Sequence, residues 1–276
     1  MSRSGPHGAV AVVGHVEWVT HALGALPGRG HIADLRDPLD EPAGGGGVAA
    51  CAAARLGAEV SLFTALGDDD NAGAALRVLE GRGMAVLAAR RPGRQTPALS
   101  VTEPDGERTI MVVGPRLQPS ASDDLPWDRL GHMAAAYYAG EDPQALRLAR
   151  AARRLVVTAR RLQDLIAADV RADVVVGSAS DPDEDPFGLP AHLEPAAIVV
   201  TDGPRGGTIT EHGQPPRAYV AASVPGPVVD TYGCGDSFAS GLAVGLARGL
   251  GLDDAVALGA QAGAACCTWR GGIGPA

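Results

Sequence analysis

The chain contains no lysine, and all 23 of its basic residues are arginine. A P-loop lysine, a Schiff-base lysine and the ATP-pairing lysine of protein kinases are therefore excluded. Biased genomic composition is the simplest cause of this absence. Its chemical consequence is that any phosphate chemistry must use backbone N–H groups, arginine and metal ions.

Cysteine is also scarce, with four residues and no Cys-x-x-Cys pair, so a zinc site is not expected. Cys266 and Cys267 lie in an apolar helical run and are predicted to be core thiols, as is usual for buried cysteine. Cys234 lies in a glycine-rich turn that needs a small residue. The alternative for Cys234 is a thiol made reactive by the start of a helix.

Long hydrophobic runs and basic clusters are missing as well. No stretch of 18 apolar residues occurs, and Met1–Gly8 lacks the apolar segment of a signal peptide, so we expect a cytoplasmic protein with no membrane partner. The net charge of −9 without a basic face argues against nucleic acid. The 276 residues, 46% hydrophobic with 38 glycines, suit a globular domain rich in turns.

Apolar runs alternate with helical patterns along the chain, which predicts an α/β fold with a mostly parallel sheet and helices on both faces. We predict strands at Ala9–Gly14, Glu59–Gly67, Ala85–Arg90, Ala134–Ala139, Leu155–Ala159, Asp173–Val176 and Ala197–Thr201. We predict helices at Val48–Gly57, Asn71–Gly81, Pro143–Arg154, Leu162–Ala168, Ser237–Arg248 and Asp253–Cys267.

Two further segments do not fit this alternation. Leu99–Thr102 and Arg108–Val112 flank a turn at Pro104–Glu107 and predict a β-hairpin, which among βα units suggests a lid. His15–Pro42 is irregular and predicts short strands or loops that project from the main body. Arg108 either reaches a site beneath this lid or is solvated, as turn charges usually are.

The stretch Val228–Phe238 places a strand end, two glycines and a helix start in immediate succession. Gly233–Asp236, here called the anion loop, would aim several N–H groups and the positive end of a helix dipole at one point. A carboxylate at the mouth of an anion site is unusual unless it acts as a base. We therefore favour a base over a helix cap for Asp236.

The motifs also occur in a characteristic order. They are Gly14 after the first strand, the Gly44–Gly47 run, Gly106-Glu107-Arg108-Thr109, Thr201-x-Gly203-x-x-Gly206 and Asp230-Thr231-Tyr232-Gly233-Cys234-Gly235-Asp236. This set resembles the ribokinase-like (PfkB) family of carbohydrate and nucleoside kinases over about residues 9 to 272. The last motif is the most specific.

The resemblance implies a three-layer αβα core with a small β lid, in a single domain over residues 1–276. The lid would come from inserted segments at about 15–43 and 95–114. The implied activity is ATP-dependent transfer of the γ-phosphoryl group to a hydroxymethyl group of a sugar, sugar derivative or nucleoside. It implies Mg²⁺, a monovalent cation such as K⁺ in many members, and often a homodimer through the lid.

The resemblance also implies roles for residues at matching positions. Asp236 would be the catalytic base and would face the substrate, while Gly233, Cys234 and Gly235 would form the anion hole. The implied nucleotide-site residues are Thr201, Gly203, Arg205, Gly206 and Thr231. The implied substrate residues are Gly44, Gly45 and Arg108, and Asp230 would support the loop beside a cation site.

The chain departs from the family pattern at three places. Val19 stands where sugar kinases often have a substrate-binding Asp, and Ala49 where an Asn is common; Glu17 could replace the lost acceptor, with His15 or Trp18 shaping the ring site. Ser178-x-x-Asp181 replaces the Asn-x-x-Glu motif that organises Mg²⁺, and Asp181 can still hold a hydrated metal. An alternative function is thus a weak or inactive sensor of sugars or nucleotides.

Seven further arginines are most simply interpreted as belonging to solvated faces. They are Arg90, Arg91, Arg94, Arg153, Arg154, Arg160 and Arg161.

Overall fold

The computed structural model describes residues 8–103 and 107–275. Most of the predicted turn at Pro104–Glu107 and of the N-terminal segment Met1–Gly8 lies outside the described residues. The described strands are β1 (Ala9–Val13), β2 (Glu17–Leu23), β3 (Arg36–Ala43), β4 (Glu59–Leu66), β5 (Ala85–Arg90), β6 (Pro97–Thr102), β7 (Arg108–Val112), β8 (Ala135–Tyr138), β9 (Leu155–Thr158), β10 (Val174–Ser178), β11 (Ala197–Thr201), β12 (Gly207–Glu211) and β13 (Arg217–Tyr219). The α-helices are α1 (Gly44–Arg55), α2 (Asp70–Glu80), α3 (Pro143–Ala149), α4 (Leu162–Ala168), α5 (Cys234–Ala247) and α6 (Leu252–Cys266).

The central sheet has nine strands in the order β13-β12-β11-β10-β9-β8-β1-β4-β5. The seven strands from β11 to β5 in this order pair in parallel, and β12 and β13 add an antiparallel edge. All seven parallel strands were predicted, which confirms the α/β class. The two edge strands were missed because β12 directly follows a glycine-rich turn and β13 has only three residues.

Residues on the two faces of the sheet pack into separate cores. In β1, Val10 and Val12 join a core formed with α1, α2, α5 and α6, whereas Ala11 and Val13 join a core formed with α3 and α4. Side chains alternate across a strand, so a strand buried on both faces must be apolar throughout. The predicted three-layer αβα architecture follows from this burial.

A second sheet of four strands, here called the lid sheet, has the order β3-β2-β6-β7. Its strands come from the two segments predicted to form a lid. The strands β2 and β3 are seven and eight residues long, so the irregular 15–42 segment is more ordered than its sequence indicates. Pro38 and Pro42 obscure the pattern, but both lie on β3, an edge strand where a missing N–H donor is tolerated.

The lid sheet joins the core without a spacer, since β3 ends at Ala43 and α1 begins at Gly44. The predicted helix began at Val48, so the four glycines are its first turn and not a loop before it. A Cβ on Gly46 would lie 2.6 Å from the carbonyl carbon of Gly14, because this turn packs directly on the end of β1. Glycine is therefore required for α1 to start beside the carboxyl end of the sheet.

Candidate active site

A cavity of about 380 Å³ lies between the lid sheet and the carboxyl ends of the central strands. This is where open α/β sheets bind ligands. Its polar lining consists of His15, Glu17, Arg108, Arg116, Tyr137, Glu141, Thr158, Arg160, Arg161, Glu184, Thr201, Tyr232 and Asp236. A second cavity of about 220 Å³, beside Phe187 and His212, contains none of the predicted site residues.

The anion loop forms one wall of this cavity. Gly233 has φ of 74°, in the left-handed region, and caps α5, which begins at Cys234 rather than at the predicted Ser237. Gly233 and Gly235 line the cavity, whereas the Cys234 sulfur contacts the Cys267 sulfur at 3.3 Å. The start of α5 therefore borders a space where an anion can bind, although the Cys234 N–H also has a long contact of 3.5 Å with the Thr231 carbonyl.

Asp236 lies in the first turn of α5 and lines the cavity. The Tyr137 hydroxyl, at the end of β8, donates a hydrogen bond of 2.9 Å to Asp236 Oδ1. Burial raises the pKa of Asp236 to about 7; the Tyr137 hydrogen bond and the charges of Arg160 and Arg108 oppose the rise, and the Glu184 charge adds to it. A carboxylate with a pKa near neutrality is suited to general base catalysis.

Replacing Tyr137 with Phe is expected to raise the pKa of Asp236 further, because the hydroxyl stabilises the carboxylate. If Asp236 must be ionised for turnover, activity falls as the pH drops through about 7. Loss of a hydrogen bond to a charged group would move the pH at which activity falls, the acid limb of the profile, upward by about one to two pH units. The measurement is the pH profile of kcat/KM.

The neighbouring Tyr138 supplies a matched control. Its hydroxyl donates to the Asp142 carbonyl, on the other face of the strand. Tyr138→Phe should leave the acid limb in place. An unmoved limb in Tyr137→Phe would contradict the assigned role of Tyr137.

Glu17 and His15 line the cavity at and just before the start of β2. Glu17 is buried and accepts a hydrogen bond of 2.7 Å from Arg116 Nε. Burial raises the pKa of Glu17, and Arg116 opposes this rise. Burial together with Arg116 and Arg161 lowers the pKa of His15 to about 3, so its ring is neutral and its Nε2 accepts the Gly45 N–H at 3.3 Å.

Arg108 reaches from the lid sheet to the anion loop. Its Nη1 donates a hydrogen bond of 2.8 Å to Thr231 Oγ1, immediately before the loop. Its Nε is buried without a hydrogen-bond partner in the described part of the chain. Of the two alternatives for Arg108, the structure thus favours a place in the cavity over a solvated one.

Arg160 and Arg161, both predicted to be solvated, line the cavity; Arg160 is exposed there and Arg161 is partly buried. Arg160 pairs with Asp181 and donates from Nε to Glu184 at 2.8 Å, and Arg161 pairs with Glu141 at 3.2 Å. Both arginines follow the carboxyl end of β9, a position that could have signalled a binding role. Tyr137 and Glu184 were also missed, because each is a single residue without a surrounding motif.

The two predicted metal residues lie outside the cavity lining. Asp181 accepts the Asp183 N–H at 3.0 Å and pairs with Arg160. Asp230 is 2% exposed and accepts the N–H groups of Tyr232 and Gly271 at 2.9 and 3.0 Å, so it ties the loop to the C-terminal segment.

Among the described residues no group of three or more His, Cys, Asp or Glu side chains could hold a metal ion. Mg²⁺ in phosphate-transfer sites usually keeps several waters and needs only one or two carboxylates besides phosphate oxygens. Glu184 meets that requirement, because it lines the cavity and follows Asp181 by three positions. The donor set therefore fits a hydrated Mg²⁺ held chiefly through phosphate.

The predicted nucleotide turn is only partly in the cavity. Thr201 lines it and donates to the Gly177 carbonyl at 3.2 Å, whereas Gly203, Arg205 and Gly206 do not line it. Arg205 is exposed and pairs with Asp202 through bonds of 2.7 and 2.5 Å. Contact of these three residues with a nucleotide remains a prediction.

The two glycines predicted to face substrate belong to the cavity wall. Gly44 and Gly45 line the cavity, and the Gly44 N–H donates to the Tyr232 hydroxyl at 3.3 Å. A Cβ on Gly45 would lie 3.3 Å from Asp236 Oδ1. Any larger side chain there would occupy space beside the proposed base.

Two of the residues that depart from the family pattern, Val19 and Ala49, are not part of the cavity lining. Val19 is buried in a small core between the lid sheet and α1, with Ala43, Val48, Ala98 and Tyr232. Ala49 is buried in the core beneath α1. Glu17 is therefore the residue of β2 that presents a carboxylate to the cavity.

An α/β core with a lid sheet over an anion loop that carries a carboxylate is the architecture of a small-molecule kinase. The family model described as pfkB family carbohydrate kinase matches residues 10–183 and 187–276. The chain therefore belongs to the PfkB family, and the predicted class, a phosphotransferase that uses ATP, is confirmed.

Individual relatives agree with this assignment. The ATP-dependent ribose-1-phosphate kinase of Halopiger xanaduensis is 29% identical over 249 residues, covering 84% of this chain and 82% of that protein. The acarbose 7(IV)-phosphotransferase of an Actinoplanes species is 42% identical over 72 residues, 26% of this chain, and the match spans about a quarter (24%) of that relative. A putative ribokinase from Agrobacterium tumefaciens has a TM-score of 0.78 at 24% identity, over 98% of this chain and 94% of that one.

No helix within the described residues has the length and apolar character needed to cross a membrane.

Proposed function

We propose that the chain is an ATP-dependent kinase that phosphorylates a hydroxymethyl group of a sugar, sugar derivative or nucleoside. The observation that carries this proposal is Asp236, a carboxylate with a pKa near 7 at the mouth of the anion loop. Similar structures include Arabidopsis thaliana ribokinase complexed with ribose and ATP and a Burkholderia thailandensis nucleoside kinase in complex with inosine.

Asp236 acts as the general base in this proposal. Tyr137 engages Oδ1, so Oδ2 would receive the proton of an acceptor hydroxyl. As the hydroxyl oxygen attacks the γ-phosphorus, its proton passes to Asp236. The raised pKa makes the carboxylate a better proton acceptor while leaving it substantially ionised near neutral pH.

The anion loop and the arginines stabilise the charge on the moving phosphoryl group. A loose phosphoryl transition state needs positioning and charge stabilisation more than covalent chemistry. The N–H groups of Gly233, Cys234 and Gly235 supply part of that stabilisation. Because the chain has no lysine, Arg108 and Arg160 supply the nearby side-chain charge.

The proposed site would also hold Mg²⁺ and K⁺. Glu184, with Asp181 behind it, would hold a hydrated Mg²⁺, which neutralises phosphate charge when bound. Asp230 is engaged by two backbone N–H groups, so a K⁺ ion beside it would also need carbonyl ligands. Dependence on K⁺ remains a prediction.

The acceptor would lie between the lid sheet and α1. Glu17 would accept a hydrogen bond from one of its hydroxyl groups, and neutral His15 would shape the site beside Gly44 and Gly45. The exposed apolar residues Met111 and Val113, on and beside β7, support the predicted lid dimer. A single domain and a cytoplasmic location also remain predictions.

The function is tested by measuring ADP release with Mg²⁺, ATP and a panel of acceptors. The panel should include pentoses, hexoses, nucleosides and ribose 1-phosphate, the last because of the activity named for the Halopiger relative. We expect at least one acceptor to stimulate ADP release well above the rate with water. Binding of a sugar or nucleotide without any stimulated release would instead support the sensor alternative.

A further inference from the structure

Three of the four cysteines meet behind the anion loop. Cys234 is the first residue of α5, and Cys266 and Cys267 are at the end of α6. The Cys234 and Cys267 sulfurs are 3.3 Å apart, and both residues are partly exposed, whereas Cys266 is buried. The proposed kinase mechanism uses the Cys234 N–H but none of these thiols.

The geometry favours Cys267 over Cys266 as the partner of Cys234. A disulfide bond is about 2.05 Å long, so the two sulfurs need to approach by only about 1.2 Å. Cys266 instead donates to the Tyr232 carbonyl at 3.3 Å inside the core. Cys51, the fourth cysteine, is fully buried on α1.

Exposure also favours reaction at Cys267. Cys234 and Cys267 are partly exposed, so a small molecule can reach them from solution, whereas Cys266 is buried. The thiolate is the reactive form of cysteine in thiol–disulfide exchange. The sulfur of Cys267 is therefore both accessible and within reach of Cys234.

We propose that Cys234 and Cys267 form a reversible disulfide when the protein meets a low-molecular-weight disulfide. The Cys267 thiolate attacks one sulfur of that disulfide and displaces a small thiolate. The Cys234 sulfur then attacks Cys267, forming the internal S–S bond and displacing the second small thiolate. Two protein thiols are oxidised by two electrons, and the small disulfide becomes two thiols that take up both protons.

This bond would change the anion loop. Cys234 lies between Gly233 and Gly235, which line the cavity, and its side chain would become fixed to the end of α6. Cys267 also accepts the N–H groups of Val229 and Asp230 through its carbonyl, so the segment before the anion loop and the loop itself would be held by one residue. The N–H groups that bind phosphate would lose their alignment, and nucleotide binding would weaken.

The experiment treats the full chain with oxidised glutathione and maps disulfides by mass spectrometry without reduction. We expect a cross-link between the peptides carrying Cys234 and Cys267. We also expect the apparent Kd for ATP with Mg²⁺ to rise about tenfold, as for one lost hydrogen bond to a charged group. Dithiothreitol should reverse both effects.

Two variants make the test specific. Cys267→Ser should bind ATP normally and lose its response to oxidised glutathione, while Cys51→Ser should respond as the unaltered chain does. A response of Cys267→Ser equal to that of the unaltered chain, a Cys234–Cys266 cross-link, or unchanged ATP binding by cross-linked protein would overturn the proposal. The effect on ATP rests on the proposed function, but the cross-link does not, so the two can fail separately.

Discussion

Replacing Asp236 with Asn is expected to lower kcat by about 10²–10⁴-fold, the usual contribution of a general base. The Asn side chain has the same shape and can still accept the Tyr137 hydrogen bond, so the cavity should persist. What is lost is the capacity to take the acceptor proton. The measurement is ADP release at saturating ATP and acceptor, across pH 6 to 9.

The same replacement is expected to lower kcat without lowering thermal stability. Burial raises the pKa of Asp236 from its ordinary value of 3.8 to about 7, so the ionised form is disfavoured in the folded protein. The stability gained from the protonated form is lost as the pH rises through about 7. At pH 8 the Asn variant should therefore melt at the same temperature as the unaltered chain or higher.

Asp254→Asn is a matched control, because Asp254 also lies in the first turn of a helix but is exposed and outside the cavity. It should leave turnover unchanged. Turnover by Asp236→Asn at the rate of the unaltered chain would refute the base assignment. Loss of turnover with a much lower melting temperature would mean that Asp236 is mainly structural.

Replacing Arg108 with Gln is expected to lower kcat by at least about 10²-fold, as for loss of one preorganised donor to a developing charge. Arg108 spans from the lid sheet to Thr231, and the chain has no lysine that could compensate. If the arginine acts on the transferring group, kcat should fall more than the affinity for ATP. Steady-state kinetics with ATP and acceptor varied separately distinguish these effects.

Two control variants distinguish the effect of the Arg108 charge from that of its hydrogen bond to Thr231. Arg36→Gln removes an exposed arginine from the same lid sheet and should have no effect. Thr231→Val removes the hydrogen-bond partner but keeps the Arg108 charge, so it should cost much less than Arg108→Gln. Equal losses in Thr231→Val and Arg108→Gln would show that Arg108 serves only to fasten the lid sheet.

The sequence predicts the parallel core and the anion loop because both depend on residues that are close together in the sequence. An apolar run such as Ala9–Val13 is buried on both faces whatever surrounds it, and the glycines at 233 and 235 set the start of α5 locally. The bounds of α1 were less accurate, because four glycines in succession do not resemble a helix. They are helical since α1 packs closely on Gly14, which no local pattern reveals.

The residues of the site that were missed depend on contacts between distant segments. Tyr137 lies 99 positions before its partner Asp236, and Arg116 lies 99 positions after its partner Glu17. Each missed residue is a single polar residue, and its partner is defined only once the sheets are assembled. The order of strands, which places β8 between β1 and β9, is what brings Tyr137 to the base.

The direct junction of β3 and α1 has a consequence for proton affinity. The lid sheet meets α1 at Gly44, whose N–H binds Tyr232 and whose neighbour Gly45 lies beside the Asp236 carboxylate. The pKa of Asp236 is raised mainly by burial, so a lid sheet that opened and admitted water would bring that pKa back toward 3.8. If Asp236 is the base that we propose, it would be weak in an open cavity and strong in one from which the lid sheet excludes water.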